Sequence, residues 1–421
     1  MRVEKYAFDP SDSSVRQVVS TLEGQKGANM NLETLKGKVP FTAKEACYQE
    51  ERLAVLDEHF RKMLRKEEIL CAGYALSRNG KMFANNAMGD LDYSDRGGKK
   101  LRPDSVFAIA SITKTFTAVA ILKLVEDGMM TLDQFVGDFI PEFKAEPFNK
   151  IKVLHLLNHT SGLIPDGGVL HNDYYVGWGE FVKEDVGKEW IEAILKCGMR
   201  REPGEEWCYC TAGFMLLGEI ITRVSGVFCH DYIEKNIMEP CEMTNSTFCM
   251  ERVDADNTYI REEWMKERFE AIKNNAQSER DKARSGLPRT GGGIFSTCED
   301  LIKFGNMLIN NGIHNGKRII GRKALEAMFR NTTEPTLRNF AWDAGGAYKA
   351  YGVGIDIYTW RDKSQLITPG LVNHEGYGPS CLMIDPEENF VAVWSAQFQN
   401  YDIWYPHALR NVASIIWSGI E

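Results

Sequence analysis

The chain has 421 residues, of which 43% are hydrophobic and 26% charged, as is ordinary for a folded globular protein. This length suggests two or three structural units. The formal net charge is -9, and the lysines and arginines are scattered along the chain. Because binding to nucleic acid or to an anionic membrane depends on concentrated positive charge, the composition argues against both kinds of partner.

The N-terminal part predicts a polar extension followed by a helix and a hairpin. Residues 1–48 are polar and show little periodicity, which is typical of an extension or an arm wrapped over the surface. Residues 49–66 place apolar side chains at helical spacing. Two apolar segments, ILCAGYALSR and KMFANNAMG, are joined by Asn79-Gly80, a dipeptide that strongly favours a tight β-hairpin.

The middle of the chain has mainly helical periodicity. The segment from Ser105 to Asp127 predicts a helix that ends at Gly128. Residues 250–290 are highly charged and predict an exposed helix or loop. Further helices are predicted at residues 187–196, 212–224, 228–237 and 298–311.

The C-terminal part returns to strand patterns. Strands are predicted at Tyr351–Tyr358, Ser380–Ile384 and Phe390–Ala396, with a turn at Pro386, and a last helix at about His407 to Ser418. Because strands occupy both ends, we predict an α+β fold with one antiparallel sheet built from both chain ends and flanked by helices. The predicted parts are an extension (1–48), a sheet domain (49–110 and 300–421) and a mainly helical inserted domain (111–299), with the active site at their interface.

Ten cysteines are irregularly spaced and form no C-x-x-C motif, which is typical of free thiols in a reducing compartment. Cys208 and Cys210 have no matching Cys or His pair nearby, so no metal site is predicted. The first residues lack the apolar stretch of a secretion signal, and no apolar run is long enough to span a membrane. We therefore expect a cytoplasmic protein that uses no metal or cofactor.

One Ser-x-x-Lys motif occurs in the chain, at Ser111 and Lys114 within FAIASITKTFTAVAILKL. Residues three apart at the start of a helix share one face. A neighbouring amine can take or stabilise the proton of a serine hydroxyl when burial favours its neutral form, and a free N–H at the helix start can stabilise an oxyanion. The alternative is that Ser111 caps the helix and Lys114 is a solvated charge.

Five longer stretches place this motif in a wider context. They are VFAIASITKTFTAVAILKLVEDGMMTLDQFVGDFIP, VLHLLNHTSGL, EPGEEWCYCTAGFMLLGEII, TGGGIFSTCEDLIKFGNML and NHEGYGPSCLMIDPEENFVAVW. In order and approximate spacing they resemble the β-lactamase and penicillin-binding-protein superfamily of serine enzymes. Within it, the likeness is closest to the class C β-lactamase-like esterases and transesterases. The resemblance extends from about Glu51 to Trp417 and implies that Ser111 is the nucleophile.

The same resemblance implies that Tyr209 is the second catalytic group. A phenol has a reference pKa near ~10 and is a poor base at neutral pH, but a nearby ammonium favours the phenolate. Lys114 and Tyr209 would then move the proton of Ser111 together. The backbone N–H groups of Ser111 and of Tyr377, the residue after Gly376, are implied as the oxyanion hole. The alternative is a tyrosine that only packs against its neighbours.

Two positions depart from the pattern of β-lactamases. Thr211 stands where asparagine is usual, which keeps a hydroxyl but removes the amide donor and weakens the expectation of amide recognition. His374-Glu375-Gly376 stands where Lys-Thr/Ser-Gly is usual, and a histidine there resembles the esterase branch. Glu375 would repel an anionic substrate if it faced the cleft, but strand alternation could instead turn it to solvent. The candidate groups for substrate and oxyanion binding are thus Thr211, His374, Gly376 and Tyr377.

Several other residues have structural interpretations. His314-Asn315-Gly316 also fits His-x-Gly but lies in a polar stretch that predicts a turn. His155 and His159 lie in VLHLLNHTSGL and are expected to serve packing. Two aromatic clusters fit an acyl or alcohol pocket as well as they fit core packing, namely Tyr174, Tyr175 and Trp178, and Tyr401, Trp404 and Tyr405.

The sequence therefore predicts a serine hydrolase or acyltransferase that acts on a small-molecule carboxylic ester through an acyl-Ser111 intermediate. Release of the acyl group to water makes it a carboxylesterase, and release to an alcohol makes it a transesterase. The first alternative is a β-lactamase or D-amino-acid peptidase, which Thr211 and the His-Glu-Gly motif argue against. The second is a non-catalytic scaffold of the same fold, which the presence of Ser111, Lys114 and Tyr209 argues against.

Overall fold

The structure, a computed structural model, describes residues 30–165, 190–274, 286–334, 337–339, 348–359, 366–397 and 407–421. The strands in these residues are β1 (Leu35–Lys36), β2 (Cys71–Arg78), β3 (Lys81–Gly89), β4 (Phe107–Ala108), β5 (Glu206–Trp207), β6 (Phe295–Ser296), β7 (Ile313–His314), β8 (Lys317–Arg318), β9 (Arg338–Asn339), β10 (Asp356–Ile357), β11 (Val372–Gly376), β12 (Ser380–Asp385) and β13 (Phe390–Gln397). The α-helices are α1 (Glu51–Arg65), α2 (Thr113–Glu126), α3 (Val136–Phe139), α4 (Val153–Leu157), α5 (Trp190–Cys197), α6 (Thr211–Ser225), α7 (Cys229–Ile233), α8 (Glu263–Lys273), α9 (Cys298–Ile309), α10 (Arg322–Met328) and α11 (His407–Trp417).

A seven-stranded antiparallel sheet has the strand order β1-β3-β2-β13-β12-β11-β10. Strand β2, from the N-terminal part, pairs with β13, from the C-terminal part, along its whole length. The sheet is therefore assembled from both chain ends. The predicted α+β fold is confirmed.

Different helices cover the two faces of the sheet, since side chains alternate along each strand. On one face, Tyr74, Met383 and Trp394 belong to a core that includes residues of α1 and α11. On the other face, Leu382 and Val391 belong to a larger core shared with α9, α2 and α6. This larger core joins the sheet to the helical part of the molecule. The turn that leads into α2, Ala110–Ile112, lies beside β11.

Helix α2 is buried on all sides over most of its length, including every residue from Thr113 to Leu122. Such a helix has no solvated stripe, so its polar side chains must find partners inside the protein.

Within the described residues, no single helix has the length and apolar character needed to cross a membrane. A pair bent by 80°, Thr211–Ser225 with Cys229–Met238, passes that test by length and composition only.

The hairpin predicted around Asn79-Gly80 is confirmed, and both turn residues have positive φ values, 53° and 72°. The predicted helix at 105–127 begins later than expected. Residues Phe107–Ala108 form β4, which pairs with β6, and Ala110 has a positive φ of 45°. The long-range pairing with β6 holds Phe107–Ala108 extended, a short 3-10 turn follows at Ala110–Ile112, and the α-helix starts at Thr113. The local pattern does not contain that pairing.

Two further predictions needed correction. The strand expected at Tyr351–Tyr358 is reduced to β10, because Gly354 adopts a φ of 69° and breaks the extended chain. Part of the region predicted as an extension, Leu35–Lys36, adds β1 to the sheet edge by pairing with Asn86 and Ala87. The division into sheet and helical domains at the stated boundaries stays a prediction.

Candidate active site

The nucleophile candidate lies on a short 3-10 turn, Ala110–Ile112, that leads directly into α2. Ser111 is partly exposed, whereas Lys114, one helical turn later, has none of its surface exposed. Ala110 precedes the serine with φ 45°, a conformation that is unfavourable for a residue with a Cβ. The alternative in which Lys114 is a solvated surface charge is therefore excluded.

The Lys114 ammonium nitrogen lies within hydrogen-bonding distance of three oxygens. Nζ is 3.1 Å from Ser111 Oγ, 3.1 Å from Thr211 Oγ1 and 2.6 Å from the Gly291 carbonyl oxygen. The carbonyl can only accept, so it holds one N–H of the lysine. These contacts fix the buried amine against the serine hydroxyl.

Gly291 was not singled out from the sequence, although it lies in the run TGGG. A Cβ at this position would lie 2.5 Å from Thr211 Cγ2, so only glycine allows the chain to approach α6 this closely. Thr117 of α2 also donates to the carbonyl of Thr290, 2.7 Å away. The glycine-rich run thus brings main-chain carbonyl acceptors to α2. Its glycine content is the feature of the sequence that could have identified Gly291 as part of the site.

Tyr209 lies just before α6, and the Lys114 Nζ is 4.8 Å from the centroid of its ring. Thr211, the first residue of α6, contributes its hydroxyl to the lysine directly. The position that departs from β-lactamases therefore contacts Lys114. Three segments that are far apart in sequence, at residues 111–114, 209–211 and 291, meet here.

Strand β11 borders the site with His374, which is buried. Its Nδ1 is 2.8 Å from the Glu375 carbonyl and its Nε2 is 3.3 Å from the Tyr351 hydroxyl. The carbonyl can only accept, so Nδ1 carries the proton and Tyr351 donates to Nε2. Burial, together with the charge of Lys114, lowers the pKa of His374 to about 3, so the ring is neutral at neutral pH. Tyr351, like Gly291, is a residue of the site that the sequence pattern did not predict.

Glu375 faces away from the nucleophile. It is exposed and stands opposite Cys381, which packs in the core on the far face of the sheet, whereas His374 stands opposite Leu382 on the near face. Of the two orientations considered for this carboxylate, the one toward the cleft is therefore wrong. Its charge does not line the candidate site.

The end of β11 approaches the turn before the nucleophile. A Cβ on Gly376 would lie 2.3 Å from the Ile109 carbonyl oxygen, so this contact requires glycine. Tyr377 follows with 38% of its surface exposed. Arg261 lies 4.9 Å from the Tyr377 ring centroid and donates to the Tyr377 carbonyl at 2.6 Å. The two segments with the candidate oxyanion donors are thus adjacent.

The remaining candidates lie elsewhere or serve the local structure. His314 belongs to a two-strand hairpin with Asn315-Gly316 as its turn, as expected. The Nδ1 of His155 accepts the Lys152 N–H at the start of α4, 3.2 Å away. His159 contacts the Tyr209 ring, with the two ring centroids 4.4 Å apart. The two aromatic clusters at residues 174–178 and 401–405 lie outside the described residues.

Comparisons with known proteins show the family of the chain. The profile of the Beta-lactamase family matches residues 56–402. Penicillin-binding protein 4* of Bacillus subtilis (strain 168) is 30% identical over 189 residues, which are 42% of this chain and 39% of that protein. The match thus spans less than half of that relative's length.

Solved structures show the same fold. The octameric penicillin-binding protein homologue from Pyrococcus abyssi superposes with a TM-score of 0.62 at 26% identity, covering 87% of this chain and 76% of that chain. EstCE1, a hydrolase with promiscuous acyltransferase activity, superposes with a TM-score of 0.69 at 16% identity, covering 87% of this chain and 99% of that chain. Since the family profile spans most of the sequence, this protein belongs to the Beta-lactamase family, within the superfamily of serine β-lactamases and penicillin-binding proteins.

Proposed function

We propose that this protein transfers acyl groups from carboxylic esters through a covalent acyl-Ser111 intermediate. The observation that carries the proposal is the 3.1 Å contact between the buried Lys114 Nζ and the partly exposed Ser111 Oγ. A lysine held there by the protein can stabilise the serine as its proton leaves. The position of Tyr209 beside the same ammonium supports a shared role in moving that proton.

The reaction would proceed in two acyl-transfer steps. Ser111 Oγ attacks the ester carbonyl carbon while its proton passes to the Lys114–Tyr209 pair. The resulting oxyanion is held by the backbone N–H groups of Ser111 and Tyr377. Collapse expels the alcohol, which takes up the proton, and leaves acyl-Ser111. Water or a second alcohol then attacks this ester and loses a proton to the same pair. The acyl–Oγ bond breaks, Ser111 Oγ takes the proton back, and the acyl group leaves as acid or as new ester.

The charge of the site favours an uncharged ester as substrate. β-Lactamases and penicillin-binding proteins usually place a lysine cation where this chain has His374. The pKa of His374 is lowered to about 3 by burial and by Lys114, so it supplies no positive charge at neutral pH. A substrate carboxylate would therefore lack that electrostatic partner. Thr211 stands where asparagine is usual. Because its side chain has no amide N–H to donate, it also favours an ester over an amide as substrate.

The names of the relatives support two candidate activities. EstCE1 is named as a hydrolase with promiscuous acyltransferase activity, which agrees with the ester proposal. The name of penicillin-binding protein 4* favours a β-lactam or D-peptide substrate instead. We place the ester first because of the neutral His374. We also propose a cytoplasmic location, because the ten cysteines are irregularly spaced and form no C-x-x-C motif, as is usual in a reducing compartment.

The proposal is tested by intact-protein mass spectrometry after incubation with a p-nitrophenyl ester, a fluorophosphonate and a penicillin. Wild-type protein and Ser111→Ala are compared with the matched control Ser225→Ala. Ser225 donates to the Ile221 carbonyl at the end of α6, away from the site. We expect one fluorophosphonate adduct and ester turnover in the wild type and in Ser225→Ala, and neither in Ser111→Ala.

The penicillin sample separates the alternatives. Acylation or hydrolysis of penicillin faster than of the ester would move the β-lactamase or D-peptidase activity to first place. A wild-type protein that forms no adduct and turns over no ester would refute the catalytic proposal and favour the non-catalytic scaffold.

A further inference from the structure

The backbone on either side of Tyr209 is held by a single residue, His159. The carbonyl oxygen of His159 accepts the N–H of Cys208 at 2.8 Å. Its imidazole Nδ1 accepts the N–H of Cys210 at 3.1 Å. One residue therefore binds the amide before and the amide after Tyr209.

The imidazole ring also packs directly on the tyrosine. The ring centroids of His159 and Tyr209 are 4.4 Å apart, at an interplanar angle of 36°. Trp207, Phe214 and Tyr351 surround the other sides of the imidazole at centroid distances of 5.6, 5.2 and 5.2 Å. Only 1% of the His159 surface is exposed, so the position of the ring is set by these contacts.

The hydrogen bond to Cys210 also defines the protonation state of His159. A backbone N–H can only donate, so Nδ1 must be unprotonated and the proton lies on Nε2. Burial, with a further contribution from the charge of Lys114, lowers the pKa of His159 well below its ordinary value. The ring is therefore neutral and remains an acceptor throughout the neutral pH range.

The backbone of His159 is in the left-handed region, with φ 60°. This conformation is uncommon for residues other than glycine. Among the others, asparagine, aspartate and histidine adopt it most often. It costs free energy and persists where the surrounding structure requires it. Here it allows the carbonyl and the side chain of one residue to reach the N–H groups of Cys208 and Cys210, on either side of Tyr209.

We infer that His159 is a positioning residue that fixes the Tyr209 ring against Lys114 through this two-point clamp. The inference rests on the proposed function. It assigns a functional role to a residue whose burial could otherwise be explained by core packing alone. Asparagine offers a discriminating substitution. Its Oδ1 is the same number of bonds from the backbone as the histidine Nδ1, and it tolerates the left-handed backbone.

The test compares three substitutions at this position by steady-state kinetics with a p-nitrophenyl ester. His159→Asn keeps the acceptor, His159→Leu fills the space without an acceptor, and His159→Gly accepts φ 60° without strain. We expect His159→Leu and His159→Gly to lower kcat about 10²-fold, as expected for misplacement of a catalytic group by about 1 Å, with KM changed less than about two-fold. His159→Asn should stay within about ten-fold of the wild type.

The matched controls are His155→Leu and His155→Asn, which alter a helix-capping histidine four residues earlier. They should lower the melting temperature and leave kcat unchanged. Equal loss of kcat in all three His159 variants, or a change in melting temperature with wild-type kcat, would overturn the inference.

A second readout separates this inference from the proposed function. If the wild type turns over no ester, the function fails, and the clamp is judged by fluorine NMR of 3-fluorotyrosine placed at position 209. The clamp predicts one narrow resonance in the wild type and in His159→Asn, and a broadened resonance or several resonances in His159→Leu. Identical spectra in these two variants would refute it.

Discussion

Lys114 is a buried cation whose position depends on oxygens from three separate segments. Moving a charge out of water is unfavourable unless hydrogen bonds compensate it. The carbonyl of Gly291 and the hydroxyls of Ser111 and Thr211 supply that compensation. The same contacts that keep the amine in the interior therefore hold it beside the nucleophile.

Replacing Lys114 with methionine should remove the group that assists the serine while roughly preserving side-chain volume. We expect Lys114→Met to lower the rate of Ser111 acylation by a fluorophosphonate about 10³-fold, within the range for loss of a general acid–base group. Lys123→Met is the matched control, because Lys123 is on the same helix but donates to the Ile319 carbonyl away from the site. Acylation should be unchanged in that control, and an equal loss in both variants would contradict the assigned role.

The site also depends on how closely helix α6 packs against the glycine-rich segment. A Cβ on Gly218 of α6 would lie 2.4 Å from the Thr290 Oγ1. Thr290 precedes Gly291, whose carbonyl holds Lys114. A displacement of Thr290 by a side chain at position 218 would therefore also move Gly291 and the carbonyl that holds the Lys114 amine.

Gly218→Ala should therefore reduce activity through packing. We expect kcat for a p-nitrophenyl ester to fall about ten-fold, because the acceptor of Lys114 moves by a fraction of an ångström. The matched control is Gly305→Ala on α9, where the added Cβ would lie 2.4 Å from a Val391 methyl carbon on the sheet. Both variants should lose about 1–3 kcal/mol of stability from overpacking, measured by urea unfolding. Unchanged kcat in Gly218→Ala, or an equal loss in both, would show that α6 does not position the site.

At the scale of the whole molecule, one side chain joins the segment before α1 and the last residue of the sequence to the sheet. Arg78, at the end of β2, donates to the main-chain carbonyls of Cys47 and Glu421 and to Glu388 in the turn between β12 and β13. It is only 8% exposed, so these bonds are shielded from water. The closure of the sheet by both chain ends is therefore fixed by polar contacts as well as by the core.

Buried histidines make the stability of the whole fold sensitive to acid. Burial is the main cause that lowers the pKa of His230 and of His374 to about 3, and that of His159 well below the ordinary value. Below a pH of about 6.5 the unfolded chain takes up protons on these groups while the folded protein does not. Stability should consequently be full above that pH and decline as the pH falls toward about 3.

Between pH 6.5 and 5.5 each of the three histidines should lower the free energy of unfolding by about 1 kcal/mol, giving about 3 kcal/mol together. Urea unfolding at these pH values measures the decline. His230→Gln removes one titrating group while leaving an oxygen near the position of Nε2, which accepts the Arg289 N–H. The decline in the variant should be about 1 kcal/mol smaller than in the wild type, and a free energy of unfolding independent of pH would refute the explanation.

Local sequence determined the features that depend on neighbouring residues. The hairpin at Asn79-Gly80 follows from a turn that needs positive φ at two successive residues. The shared face of Ser111 and Lys114 follows from helical spacing, and the strand pair before and after Pro386 follows from alternation and turn residues. Patterns at both ends also predicted a sheet built from both, because apolar strands need partners.

Tertiary structure decided what depends on contacts between distant segments. The Gly291 carbonyl lies 177 residues from the lysine it holds, and no local pattern records that contact. The direction of Glu375 followed only from the register of β11 on β12, since a shift of one residue would reverse it. His159 is a packed histidine by its local sequence and becomes a clamp on Tyr209 only because folding brings the segment at 208–210 against it. Local periodicity determines which face of a helix or strand a residue occupies, whereas long-range packing determines which residues that face contacts.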